Sequence, residues 1–192
     1  MSTPFAAFVP HAEAFCAFVE DASAMSPDDY TTGVQLRLAQ LYAAGLTLPW
    51  RSTPRTDEND NLGNRVALAE SKPTLSDLDR LSHEEWRRVY EDIGSRLAGP
   101  DMYMEMFDPF GWDEEPVVGS LADDLADIYQ EIRAGLLQWR RGAQEDAAWT
   151  WRFGFETHWA QHATGAMRAL QALVFRYEFA PPRPSTERPN ER

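Results

Sequence analysis

The 192-residue sequence predicts an all-α protein, a single bundle of about five helices with a long central helix toward the C-terminus. Three observations predict it. Apolar residues recur at three- and four-residue steps through most of the chain. Capping signals stand at the starts of these periodic stretches. The hydrophobic share of 43%, with 12% aromatic residues, is enough to fill one core in a chain of this length.

Thr3-Pro4 looks like an N-cap followed by proline at the first helical position, and Phe5, Phe8, Ala12, Phe15, Cys16 and Val19 continue as one apolar stripe. Ser26-Pro27-Asp28-Asp29 opens a second helix that runs through Val34, Leu38, Leu41 and Tyr42 and ends near Gly45. The polar stretch 51–65 reads as a mobile surface loop; within it, Asp57 to Asn61 begins like a calcium loop but has Leu62 and Leu68 where glycine and glutamate are needed. Ser82-His83-Glu84-Glu85 is a full capping box for a helix through Trp86, Val89, Tyr90, Ile93 and Leu97, stopped by Gly99-Pro100. Met102 to Val118, with its two prolines among bulky apolar residues, reads as an irregular packed segment with room for a short strand. Ser120 caps a helix from Leu121 to about Arg141, and a break at Gly142 leads into one long helix from about Gln144 to Tyr177. The folded domain is expected over 1–179, with a disordered Pro- and Arg-rich tail over 180–192.

The chain carries 31 acids against 18 bases, a formal charge of −13 that repels phosphate backbones and speaks against nucleic-acid binding. Ten of the acids lie between Asp101 and Ile132, a stretch without lysine or arginine. Lys72 is the single lysine, and no phosphate-binding or dinucleotide-binding glycine motif is present. One cysteine, Cys16, excludes an intrachain disulfide and reads as a core residue. No apolar run is long enough to span a membrane and the N-terminus lacks the basic flank of a signal peptide, so a cytoplasmic location is expected.

Two helices hold the residues that do not fit a simple amphipathic pattern. On the helix from Leu121, Leu121, Leu125, Ile128, Ile132, Leu136 and Trp139 form the apolar stripe, and Asp124, Asp127 and Glu131 form a ridge on its flank. Three like charges on neighbouring turns repel, so the ridge needs compensation. On the last helix, Trp151, Phe155, Trp159, His162, Ala166, Leu170 and Leu173 share a face that Trp149 and Phe153 widen. Arg152, Glu156 and His162 fall inside that face, with His158 nearer its polar edge.

Ser120-Leu-Ala-Asp-Asp-Leu-Ala-Asp-Ile-Tyr129, Gly135-Leu136, Trp149-x-Trp151-x-Phe153, His158-Trp159-x-x-His162-Ala163 and Ala169-Leu170 together resemble the bacterial domain-of-unknown-function family 5063 (DUF5063). The likeness extends to Phe15-Cys16 and Leu41-Tyr42, and departs from the pattern at Ala160, where a glycine is expected. It implies a soluble helical domain and transfers no activity.

Asp124, Asp127, Glu131, Arg152, Glu156, His158 and His162 are therefore the candidate polar or ligand cluster. If structural, Arg152 neutralises Asp124 or Glu131 and His162 donates to another carboxylate. If it is a metal centre, Asp124, Asp127, Glu131, Glu156 and His162 are the ligands, and a carboxylate-rich set suits Mg²⁺ or Mn²⁺ acting on a phosphate ester or anhydride. A third reading takes the acids as a docking face for a basic protein or cationic ligand, with the clustered tryptophans as an aromatic groove. The sequence favours this third reading because it offers no nucleophile, base or cofactor fingerprint.

Overall fold

In the computed structural model, the described residues are 4–21, 25–49, 79–106, 110–111, 113 and 115–179. A 3-10 turn over Pro4–Ala7 leads into α1 (Val9–Asp21), followed by α2 (Pro27–Leu46), α3 (His83–Arg96), the strands β1 (Met102–Glu105) and β2 (Val117–Ser120), then α4 (Leu121–Arg140), α5 (Gln144–Thr157) and α6 (Trp159–Phe179). The expected loop at 51–65 and tail at 180–192 lie outside the described residues.

The capping chemistry works as the sequence reading expects. Ser26 accepts from the Asp29 amide, Ser82 and Glu85 form the complete capping box, and Ser120 accepts from the Asp123 amide, each satisfying a donor that the helix leaves without a partner. Gly142, at φ 87°, makes the left-handed turn between α4 and α5 that a side chain would resist.

α4 is the central element: twelve of its residues are buried, and α1, α3, α5 and α6 all pack against it. Its neighbours close the core with aromatic residues. Trp151 is fully buried, donates from its indole nitrogen to the Ile132 carbonyl at 3.1 Å, and lies 5.0 Å from Phe8. Trp159, also fully buried, donates to the Trp151 carbonyl at 3.1 Å.

Three expectations need correction. The long C-terminal helix is two helices, broken at His158 (φ −148°, ψ −78°), which brings the helices to six among the described residues. Apolar periodicity continues across the break, so a helical wheel cannot register it. Met102 to Val118 contributes to an antiparallel hairpin, with Tyr103 opposite Gly119 and Glu105 opposite Val117. Finally, Phe153 and Glu156 are exposed, because the wide apolar face assumed one continuous axis where there are two.

The hairpin is tied to α4 at its base. Asp101 accepts from the Ala122 amide and from the Ser120 hydroxyl, both at 2.7 Å, while its own carbonyl accepts from the Leu121 amide. This fixes the strands against the N-terminus of α4, and strand alternation exposes Met102 and Met104 while Tyr103 and Glu105 are half-buried.

Candidate metal centre

The ridge on α4 meets His158 and His162 across the interface with α5 and α6. His162 Nδ1 lies 2.7 Å from Asp124 Oδ1, and His158 Nδ1 lies 2.5 Å from Glu131 Oε1. The two pairs run antiparallel: the earlier acid holds the later histidine. A carboxylate only accepts, so each imidazole carries a hydrogen on Nδ1, and in its neutral form points an Nε2 lone pair outward. Those two Nε2 atoms face each other at 3.2 Å. Two lone pairs at that separation repel unless a positive species lies between them, either a proton or a metal ion.

The third ridge acid completes the group. Asp127, His158 and His162 each bring one donor atom to within 4.8 Å of the others. Ligands about 2.1 Å from a tetrahedral ion stand about 3.4 Å apart, close to the Nε2 separation in this protein. Trp86 on α3 donates its indole hydrogen to Asp127 Oδ1 at 2.7 Å, which leaves Oδ2 for a ligand role. Behind His162, Asp124 is 3% exposed and accepts a second hydrogen bond, from the Tyr103 hydroxyl at 2.7 Å. That hydroxyl also lies 3.1 Å from Glu105 Oε2. Acid–histidine pairs of this kind orient metal-binding imidazoles and fix their tautomer.

The electrostatics follow from these contacts. Glu131 raises the His158 pKa and Asp124 raises that of His162, in each case chiefly by hydrogen bonding and against the opposing effect of burial. Burial, reinforced by Asp124, pushes the Tyr103 phenol far up, so it stays a donor. Asp123 is raised by burial and by the nearby charges of Asp127 and Asp124.

Two glycines leave room for the arrangement. A Cβ at Gly154 would stand well inside 3.0 Å of Glu131 Oε2, and one at Gly165 would meet the Tyr103 hydroxyl at 2.6 Å.

Of the seven residues singled out in the sequence, five converge: Asp124, Asp127, Glu131, His158 and His162. Arg152 and Glu156 do not belong. Arg152 is 7% exposed, pairs with Glu156 one turn along α5, and donates to the Leu48 carbonyl at 2.9 Å. It pairs with neither Asp124 nor Glu131, and Glu156 lies outside the group of donor atoms that comes together at Asp127, His158 and His162. Asp124 and Glu131, expected as ligands, lie against the Nδ1 atoms of the two histidines. Tyr103, Glu105 and Trp86 are additions that no local pattern marks, since they reach the centre from other elements.

No curated protein matches the chain. It is similar in fold to the crystal structure of protein BF1032 from Bacteroides fragilis, with a TM-score of 0.63 and 24% identity over 88% of this chain and 93% of that one. The family model described as domain of unknown function (DUF5063) matches residues 1–176, a span that takes in the ridge and both histidines, and the chain belongs to that family.

Proposed function

We infer that the protein is a divalent-metal-dependent hydrolase whose ion is held by Asp127, His158 and His162. The observation that carries this reading is the 3.2 Å approach of two Nε2 atoms whose Nδ1 partners are both carboxylates. Two imidazoles and one carboxylate suit a transition ion such as Zn²⁺, Mn²⁺ or Fe²⁺ better than Mg²⁺, which takes oxygen ligands. Three protein donors leave coordination positions for water, and the His158 side chain, 46% exposed, gives solvent a way in. An ion held by these residues would lower the pKa of a bound water to about 7 and so supply a nucleophile at neutral pH. The docking-face reading accounts less well for the ridge, because its three acids hold partners within the chain.

Thermal melts of the full chain with Zn²⁺, Mn²⁺ or Co²⁺ test this. The expected result is a rise in Tm that grows with metal concentration, about 2.7 kcal/mol of added stability at one hundred times Kd. Asp127→Asn and His162→Asn should abolish the rise, and Glu156→Gln should keep it. If none of the three ions shifts Tm at about 1 mM, the two imidazoles share a proton and the reading is wrong.

A further inference from the structure

The charge around the centre restricts what can approach it. Five carboxylates surround it: Asp127 as donor, Asp124 and Glu131 behind the imidazoles, Glu105 behind Tyr103, and Asp123 one turn before Asp127 on α4. Among the described residues, no arginine or lysine contacts any of the five. Six arginines of the surrounding elements have partners elsewhere: Arg87 with Glu91, Arg88 with Glu84, Arg96 with Asp92 and the Val19 carbonyl, Arg140 with Glu13, Arg152 with Glu156, and Arg168 with the Met104 carbonyl. A divalent ion set against Asp124, Asp127 and Glu131 leaves one net negative charge, and Glu105 and Asp123 add two more.

A phosphoryl group carries negative charge into its site and is held by arginine, lysine or helix N-termini as well as by metal. Among the described residues this centre has no arginine or lysine clamp, and the acids Asp123 and Asp124 occupy the first turn of α4, so a phosphate ester or anhydride is poorly matched. A positively charged group is well matched. Beside Asp127, Trp86 stacks on Tyr90 at 5.5 Å and 11°, a half-buried aromatic pair of the kind that attracts cations.

Resting on the metal reading above, we propose that the centre takes a cationic substrate, a small molecule or peptide with a protonated amine or guanidinium close to the bond that meets the metal, and rejects phosphate esters.

Hydroxamates with one chelating head and different tails separate this from the metal reading itself. The Co²⁺-loaded full chain is titrated with 6-aminohexanohydroxamate, acetohydroxamate, adipic acid monohydroxamate and inorganic phosphate, and the cobalt d–d bands are followed. The cationic hydroxamate should bind at least about tenfold tighter than the anionic one, with the neutral one between them, and the gap should close near 1 M salt. Phosphate should leave the bands unchanged at about 10 mM, and Asp123→Asn should narrow the charge preference about twofold, the effect of one charge through a largely aqueous path. If phosphate or the anionic hydroxamate binds as tightly as the cationic one, the substrate class is wrong while the metal reading stands. If cobalt produces no d–d bands, both fall.

Discussion

Gly154→Ala tests whether the acid–histidine lattice needs the space that this glycine provides. On helix propensity alone the change should help, because alanine in a helix interior is favoured over glycine by about 1 kcal/mol. The packing opposes it. A Cβ at this position would lie well inside 3.0 Å of Glu131 Oε2 and 2.8 Å from Trp159 Cδ1. Trp159 is fully buried and held by its bond to the Trp151 carbonyl, so it cannot move aside. Glu131 must therefore shift by about 1 Å to reach an ordinary van der Waals separation, enough to break its bond to His158. Overpacking costs about 1–3 kcal/mol, and losing a charge-assisted hydrogen bond costs about 1.5–3 kcal/mol, less here because His158 is half exposed. After the propensity gain is subtracted, a loss of about 2 kcal/mol remains. The metal affinity of a centre that loses one supporting acid should fall about 10–100-fold. Urea melts without metal and a Co²⁺ titration read the two effects separately. Gly135→Ala is the control, since its Cβ would strike the Trp151 ring and cost stability without touching either histidine. If Gly154→Ala is as stable as the parent and binds Co²⁺ equally well, Glu131 does not occupy this space and the reasoning fails.

Further predictions follow from the same contacts. Asp124→Ala leaves the His162 ring without its acceptor and the Tyr103 hydroxyl with Glu105 alone, and should cost about 2–4 kcal/mol in urea melts, with Asp124→Asn milder. Glu156→Ala should cost less than about 1 kcal/mol, because the carboxylate is solvent-exposed, while Arg152→Ala should cost more through its buried stem and the Leu48 carbonyl it leaves. The pH dependence has a definite sign. Both histidine pKa values are raised in the folded state, so their contribution is fully present below the unfolded value near 6.5 and is lost as pH rises through the folded values. Metal-free protein should therefore lose Tm from about pH 6.5 upward, and Glu131→Gln should flatten the slope. Added Zn²⁺ should reverse it, because metal binds the neutral imidazoles.

Much of the bundle is legible in sequence because its signals are local. Ser82 with Glu85 and Ser120 before Leu121 determine helix starts within four residues, and the stripe from Leu121 to Leu136 reports its own buried face. The His158 break is not legible, because Trp151, Phe155 and Trp159 continue the apolar pattern across it. The acid ridge stands out as a repulsive run that needs compensation, and His158 and His162 as a pair at i, i+4. Sequence spacing cannot tell which acid faces which ring. Two helices pack in a register set by all their contacts, so a helical wheel does not separate Arg152 and Glu156 from the histidines. Tyr103, Glu105 and Trp86 come from a strand and a third helix, and only the Asp101 anchor of the hairpin and the packing of α3 on α4 bring them in.

The antiparallel pairing of Asp124 with His162 and Glu131 with His158 also acts as a vernier between α4 and the C-terminal helices. Apolar faces tolerate sliding, since one leucine can replace another along a groove. A slip of one helical turn, about 5.4 Å, would separate both pairs at once and leave buried Asp124 facing no ring. Like charges that weaken α4 as an isolated helix thus make its mismatched alignments costly, and a single docked register is left.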